Sequence, residues 1–309
     1  MSSDNDRPAG GDTPTLQFPS RGRTGGIERA SHVRSSDATS RFEALTQGAA
    51  HVETVPTGFP GIDQLLGGGM RRGDLLILGG DVGSGKSALA LAIAIRAAQA
   101  GHASAFLSGE MSPERLMERA LALEGRVSVD ELRTGKLDDA THAMVATASL
   151  KLRDRSPVLA RLPDTGVAGV SELTVEHLGL ELVVVDALQT LATGAGTLDE
   201  ELARAVREIK DLAVRRNCAL LLVSHLAGTP RSRADARPSL EDLGALGVAR
   251  QQADVVLALY REELYSSAPG IQGATEVHIL KNRNGPKGYV DLYFYSKWLR
   301  FEDVMEPDR

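Results

Sequence analysis

Residues 74–100 read DLLILGG–DVGSGKS–ALALAIAIRAAQA. The first seven are an apolar run of strand length ending in two glycines. The last fourteen are Ala-rich, of helix length and free of proline. Between them, Gly80-Asp81-Val82-Gly83-Ser84-Gly85-Lys86-Ser87 matches GxxxxGK[ST] in full, with a strand before it and a helix after it. The glycines let backbone N–H groups curl around phosphate oxygens, and the helix N-terminus adds partial positive charge. Lys86 is expected to reach the β- and γ-phosphates and the Ser87 hydroxyl to ligate Mg²⁺. The stretch therefore predicts an ATP site with Mg²⁺ on an α/β fold.

Outward from this loop the chain alternates strands and helices. Residues 103–109 and 180–188 read as buried strands. A helix starts after Ser112, an N-cap with Glu114 in the first turn. Residues 200–217 form an amphipathic helix, 219–226 and 253–261 are further strands, and 276–284 with 289–295 form a hairpin around Gly285–Pro286. Such alternation predicts a mostly parallel central sheet flanked by helices, with a C-terminal β-hairpin. Asp186 ends its strand on the side of the phosphate loop, where a carboxylate can hold Mg²⁺ waters. Glu110 follows the strand beside it, where it can polarise an attacking water or simply serve the dipole of the next helix. His225 ends a third strand; an ordinary structural histidine and a sensor of the γ-phosphate are both open from spacing alone.

Composition excludes several classes. The 309 residues are 42% hydrophobic and 25% charged, with a net charge of −6. That balance suits a globular fold and argues against general polyanion binding, though not against a local basic channel. No apolar run approaches the ~18 residues of a membrane span. The polar, acidic start is unlike a secretory signal. Cys218, the single cysteine, allows no internal disulfide. A cytoplasmic protein is expected. Residues 1–50 lack apolar periodicity and read as a disordered tail with a candidate short linker helix at 39–49; residues 51–309 read as one ATPase domain.

A series of stretches then carries a resemblance: TGFPGIDQLLGGGMRRGDLLIL, GSGKSALAL, FLSGEMSPERLMER, ELRTGKL, VVVDALQ, ARPSLEDL, QADVVLALYRE, LKNRNGPKG and RFED. In unbroken order over residues 55–303, they resemble the C-terminal RecA-fold ATPase domain of DnaB-like replicative helicases, the superfamily four ring helicases. The resemblance implies a P-loop NTPase core, ATP hydrolysis, single-stranded DNA as partner and a homo-oligomeric ring, with six as the family number. It makes Glu110 the catalytic base. It makes Lys281 and Arg283 a lysine and arginine finger that reach the neighbouring subunit's ATP site. It gives Gln189 and His225 the task of coupling the γ-phosphate to DNA-facing loops; phage helicase-primases are similar in using His at the latter position.

The chain also departs from that pattern. The family's helical N-terminal domain has no counterpart in the first fifty residues, which puts primase docking in doubt and leaves a helicase loader or other replication proteins as candidate partners. Gly244 stands where an arginine usually grips the DNA backbone, and Arg250 stands where an acid is usual. The segment from Val158 to Asp186 is shorter than is usual. Arg231, Arg233 and Arg237, in the loop after His225, are expected to compensate by neutralising DNA phosphates. No aromatic is interleaved there, so sequence preference should be weak. The reading is a ring motor that unwinds duplex during DNA replication. The rivals are a RecA-like regulatory ATPase that does not unwind, and an ATP-gated scaffold.

Overall fold

The computed structural model describes residues 54–226, 233 and 235–304. The expected tail and the candidate helix at 39–49 lie outside them. Strands β1 (Thr54–Val55) and β2 (Met70–Arg71) form a small antiparallel pair flanking helix α1 (Pro60–Leu65). The nine-stranded sheet is built from β3 (Leu75–Gly80), β4 (Ser104–Ser108), β5 (Val158–Arg161), β6 (Leu182–Asp186), β7 (Ala219–His225), β8 (Val255–Tyr260), β9 (Ala274–Asn282), β10 (Gly288–Tyr295) and β11 (Arg300–Asp303). Its order is β11-β10-β9-β8-β3-β7-β6-β4-β5. Pairing is parallel from β8 through β5 and antiparallel from β8 through β11. The expected C-terminal hairpin is present and gains β11 as a third antiparallel strand.

The central parallel strands are mostly apolar because both faces are covered. Leu76, Leu78, Val184, Leu221 and Val223 point into one core. Their neighbours Leu75, Ile77, Val183, Val185, Leu220 and Leu222 point into the other. Helix α2 (Lys86–Gln99) fills the first core with Leu89, Ile93 and Ile95, all fully buried. Helix α3 (Pro113–Gly125) packs beside it, capped by Ser112 as expected.

Two connecting helices, α4 (Val129–Thr134) and α5 (Asp139–Asp154), lead on to β5 and α6 (Val167–Glu176). Helix α7 (Leu198–Arg216) covers the second core. Its Leu202, Val206, Ile209 and Ala213 recur at the helical period, and a capping box of Thr197 and Glu200 starts it. The short helix α8 (Val248–Gln252) precedes β8. The carboxyl ends of β3, β4, β6 and β7 thus lie along one edge of the sheet, the place where open α/β sheets bind ligands.

Candidate active site

The phosphate loop joins β3 to α2. Gly83 and Gly85 hold φ of +79° and +99°, which side chains rarely allow. A Cβ on Gly80 would lie 2.6 Å from Ser84 Oγ. Lys86 is buried and its Nζ donates to the Asp81 carbonyl at 2.8 Å, so the ammonium folds over the loop where a phosphate would compete for its N–H groups. Burial pushes the Lys86 ammonium below its ordinary pKa, while Asp186, Asp81 and Glu110 pull the other way.

Asp186 ends β6, in register with Ser108 of β4 and Val223 of β7. Ser87 Oγ donates to Asp186 Oδ1 at 3.2 Å. The other oxygen, Oδ2, is buried with no hydrogen-bond partner among the described residues. Burial raises the carboxyl to about 6, Glu110 adds to the rise, and Ser87 and Lys86 oppose it. An orphaned acceptor beside a hydroxyl fits Mg²⁺, which takes few protein oxygens and keeps waters and phosphate oxygens as its other ligands. Among the described residues no cluster of three or more His, Cys, Asp or Glu could cage a metal.

Glu110 is placed by a residue the sequence did not single out. The Ser108 hydroxyl, fully buried, accepts the N–H of Glu110 at 3.2 Å and that of Met111 at 3.0 Å. Gly109 donates to the Asp186 carbonyl at 2.7 Å, and a Cβ there would meet Thr190 Oγ1 at 2.3 Å. The turn is therefore pinned, and the half-exposed Glu110 carboxylate projects from it. Its Oε1 lies 3.7 Å from His225 Nε2. The His225 N–H donates to Gln189 Oε1 at 3.3 Å. Glu110, Gln189 and His225 thus meet beside the phosphate loop, although the ends of three different strands supply them.

Two more residues missed in the sequence buttress the loop. Arg261 donates to the Gly83 carbonyl at 2.9 Å, pairs with Glu263, and stacks its guanidinium 4.5 Å from the Phe294 ring centre. Tyr265 donates to Asp81 Oδ2 at 3.1 Å. The stretch ALYREELY carried both, but nothing in its spacing pointed to the loop.

Lys281 and Arg283 lie elsewhere. Strand β9 runs antiparallel to β8, so Asn282 pairs with Val255 at the start of β8, whereas Gly80 pairs with Leu259 near its end. At about 3.3 Å per residue, roughly 13 Å of sheet separates them, more than an arginine side chain can span. Lys281 Nζ donates to the carbonyls of Arg250 and Gln251 at 2.7 and 3.1 Å. Arg283 Nη1 lies 2.9 Å from Asp254 Oδ1.

Of the loop arginines, Arg233 and Arg237 are each held by a carboxylate of the same chain. Arg231 lies outside the described residues. Arg233 pairs with the buried Asp242 at 2.7 Å and donates to Ser239 Oγ at 3.3 Å. Arg237 forms a bidentate pair with Glu276, at 2.7 and 2.5 Å, and its guanidinium lies 4.9 Å from the Tyr260 ring centre. Carboxylates of the same chain therefore already hold two of the three expected DNA contacts. For Arg237 the reason lies in β9, whose register carries Glu276 opposite Tyr260 at the end of β8.

Comparison with known proteins agrees with this architecture. Residues 54–303 match the family model of the DnaB-like helicase C-terminal domain. The chain is 31% identical to the replicative DNA helicase DnaB of Geobacillus stearothermophilus over 271 residues, covering 85% of this chain and 59% of that protein. It is 30% identical to the replicative DNA helicase DnaC of Bacillus subtilis (strain 168) over 283 residues, covering 86% and 62%. The chain thus spans about three-fifths of the length of these relatives. Among solved structures, a DnaB-like replicative helicase studied with its primase interactions superposes with a TM-score of 0.80 at 21% identity, covering 89% of this chain and 68% of that one. A separately solved ATPase domain gives 0.81 at 22% identity, covering 88% and 98%. The RadB recombinase gives 0.52 at 20% identity, covering 82% and 100%, which places the core among RecA-like folds.

Proposed function

The chain belongs to the DnaB-like helicase C-terminal domain family, and from that premise we propose that it is an ATP-hydrolysing motor, closed into a homo-oligomeric ring of six, that moves along single-stranded DNA and unwinds duplex during replication. In this reading the backbone of Gly80–Ser87 and the Lys86 ammonium bind the triphosphate. Ser87 and Asp186 hold Mg²⁺, which when bound neutralises charge on the phosphates. Glu110 accepts a proton from the attacking water. His225 and Gln189 sense the γ-phosphate and pass its presence to the loop after β7. Lys281 and Arg283 complete the ATP site of a neighbouring protomer.

One observation carries the reading. The phosphate loop, Glu110 and Asp186 stand at one edge of the sheet, and Lys281 and Arg283 stand near the other. Head-to-tail packing of identical chains brings such edges together, and repeated head-to-tail contacts close into rings. A carboxylate positioned for a water would be superfluous in a scaffold that only binds nucleotide. The likeness to replicative helicases further supports single-stranded DNA as substrate and a place in the cytoplasm. A loader or other replication proteins are further partners of this reading. Among the described residues no helix is long and apolar enough to cross a membrane.

The test is strand displacement on a forked duplex with ATP and Mg²⁺, with Lys86→Ala as the negative control. The expected result is displacement by the native chain and none by the variant. DNA-stimulated hydrolysis without displacement would instead make the protein a regulatory DNA-binding ATPase.

A further inference from the structure

Asp254 joins three elements at the amino end of β8. Its side chain is only 2% exposed. Oδ2 accepts the Leu75 N–H at 2.9 Å and Lys210 Nζ at 2.6 Å. Oδ1 faces Arg283 Nη1 at 2.9 Å, and the Asp254 carbonyl accepts the Arg283 N–H at 2.9 Å. A buried carboxylate held by a strand N–H and an ammonium is a fixed object. The arginine it touches is not buried: its side chain is 52% exposed. A planar guanidinium can give one edge to a carboxylate and still offer N–H donors along another.

We propose that Asp254 is the positioning residue of Arg283: it grips one edge of the guanidinium and aims the other at the phosphates bound by the adjoining protomer. This rests on the reading of Arg283 as a finger acting between protomers. Lys281 is fixed to the same stretch of chain, through the carbonyls of Arg250 and Gln251. Both cations therefore hang on residues 250–254.

The experiment compares ATP turnover and fluorescent-nucleotide affinity in assembled full-length rings. Asp254→Asn should lower kcat by about tenfold or more and leave nucleotide affinity within about twofold, because only transition-state contacts are lost. Lys210→Gln removes the other cation but keeps an N–H donor on the same carboxylate, which the Leu75 N–H also still holds, so turnover should stay within about twofold of native. Adding Asp254→Asn to Arg283→Ala should slow turnover by less than about twofold beyond Arg283→Ala alone, since residues acting through one contact are not additive. Multiplied defects in the double variant, or a loss of turnover in Lys210→Gln equal to that in Asp254→Asn, would overturn the proposal in favour of a structural role. If Asp254→Asn does not assemble, Asp254→Glu, which keeps the charge but displaces it, should show the same drop in kcat. Native turnover in Arg283→Ala would sink the finger itself, whereas native turnover in Asp254→Asn beside a crippled Arg283→Ala sinks only the role of Asp254.

Discussion

His225 Nε2 stands 3.7 Å from Glu110 Oε1, and the backbone N–H of the same histidine is held by Gln189. The side chain that would activate water and the side chain that would report on the γ-phosphate are therefore neighbours. Glu110→Gln should retain nucleotide binding and lose turnover, because the phosphate cradle is untouched while the proton acceptor is gone. Lys86→Ala should lose binding as well. Equilibrium binding of a fluorescent ATP analogue beside steady-state hydrolysis separates the two, and native turnover in Glu110→Gln would refute its assignment as base.

Arg283→Ala should reduce hydrolysis by about 10³-fold, the usual scale for an arginine finger. Rings mixed from Arg283→Ala and Glu110→Gln chains should recover part of the activity, since some interfaces then join an intact base to an intact finger. Verified mixed rings with no recovery would show that the arginine does not act across an interface.

If Arg237 contacts DNA, it must leave Glu276 to do so. Glu276→Gln should then tighten single-strand binding and steepen the log-affinity against log-salt slope by about 0.7, the share of one phosphate contact on a single strand. Titrations at several salt concentrations measure both. An unchanged slope would mark the Arg237–Glu276 pair as purely structural.

The ionised Asp186 is a cost to the nucleotide-free fold. Its folded pKa of about 6 exceeds the ordinary 3.8, so at neutral pH the native state holds a buried charge that the unfolded chain solvates freely. Asp186→Asn should therefore stabilise the nucleotide-free protein, by up to about 3 kcal/mol at about 1.4 kcal/mol per pKa unit, and raise its melting temperature. The same change should abolish Mg²⁺-dependent hydrolysis. Calorimetry without nucleotide that found a lower melting temperature would contradict the cost.

Burial pushes the Cys218 thiol up to about 11 from its ordinary 9.0. The folded protein should resist a thiol-specific disulfide reagent at about pH 8 and react once unfolded. Because the unfolded chain loses this proton first, stability should fall as the pH rises through about 9 and level off above about 11. Rapid labelling of the native protein would show that the thiol is accessible.

The central strands were legible because a run such as residues 182–185 is apolar on both faces, as a covered parallel sheet requires, whereas β1, β2 and β11 are too short to show a pattern. The phosphate loop was legible because its eight residues are contiguous. Helix α5 was not read: only Ala148 and Leu152 of its residues are buried, so it carries no apolar stripe, although Asp138 caps it. Glu110 was half legible. Its strand end could be inferred, but its neighbour His225 and its support Ser108 depend on the order of the strands. Arg233 and Arg237 were visible as charges and invisible as pairs, since Asp242 and Glu276 become their partners only through the path of the loop and the register of β9.

The separation of Arg283 from Gly80 along the sheet has a genetic reading. If Glu110 is the base and Arg283 acts across the interface, a chain defective in both would spoil the catalytic centre it houses and also the one it serves next door. Two adjoining centres would fall silent for each such chain incorporated. Its harm in a mixed population would exceed its share of the chains, and the trait would behave as dominant.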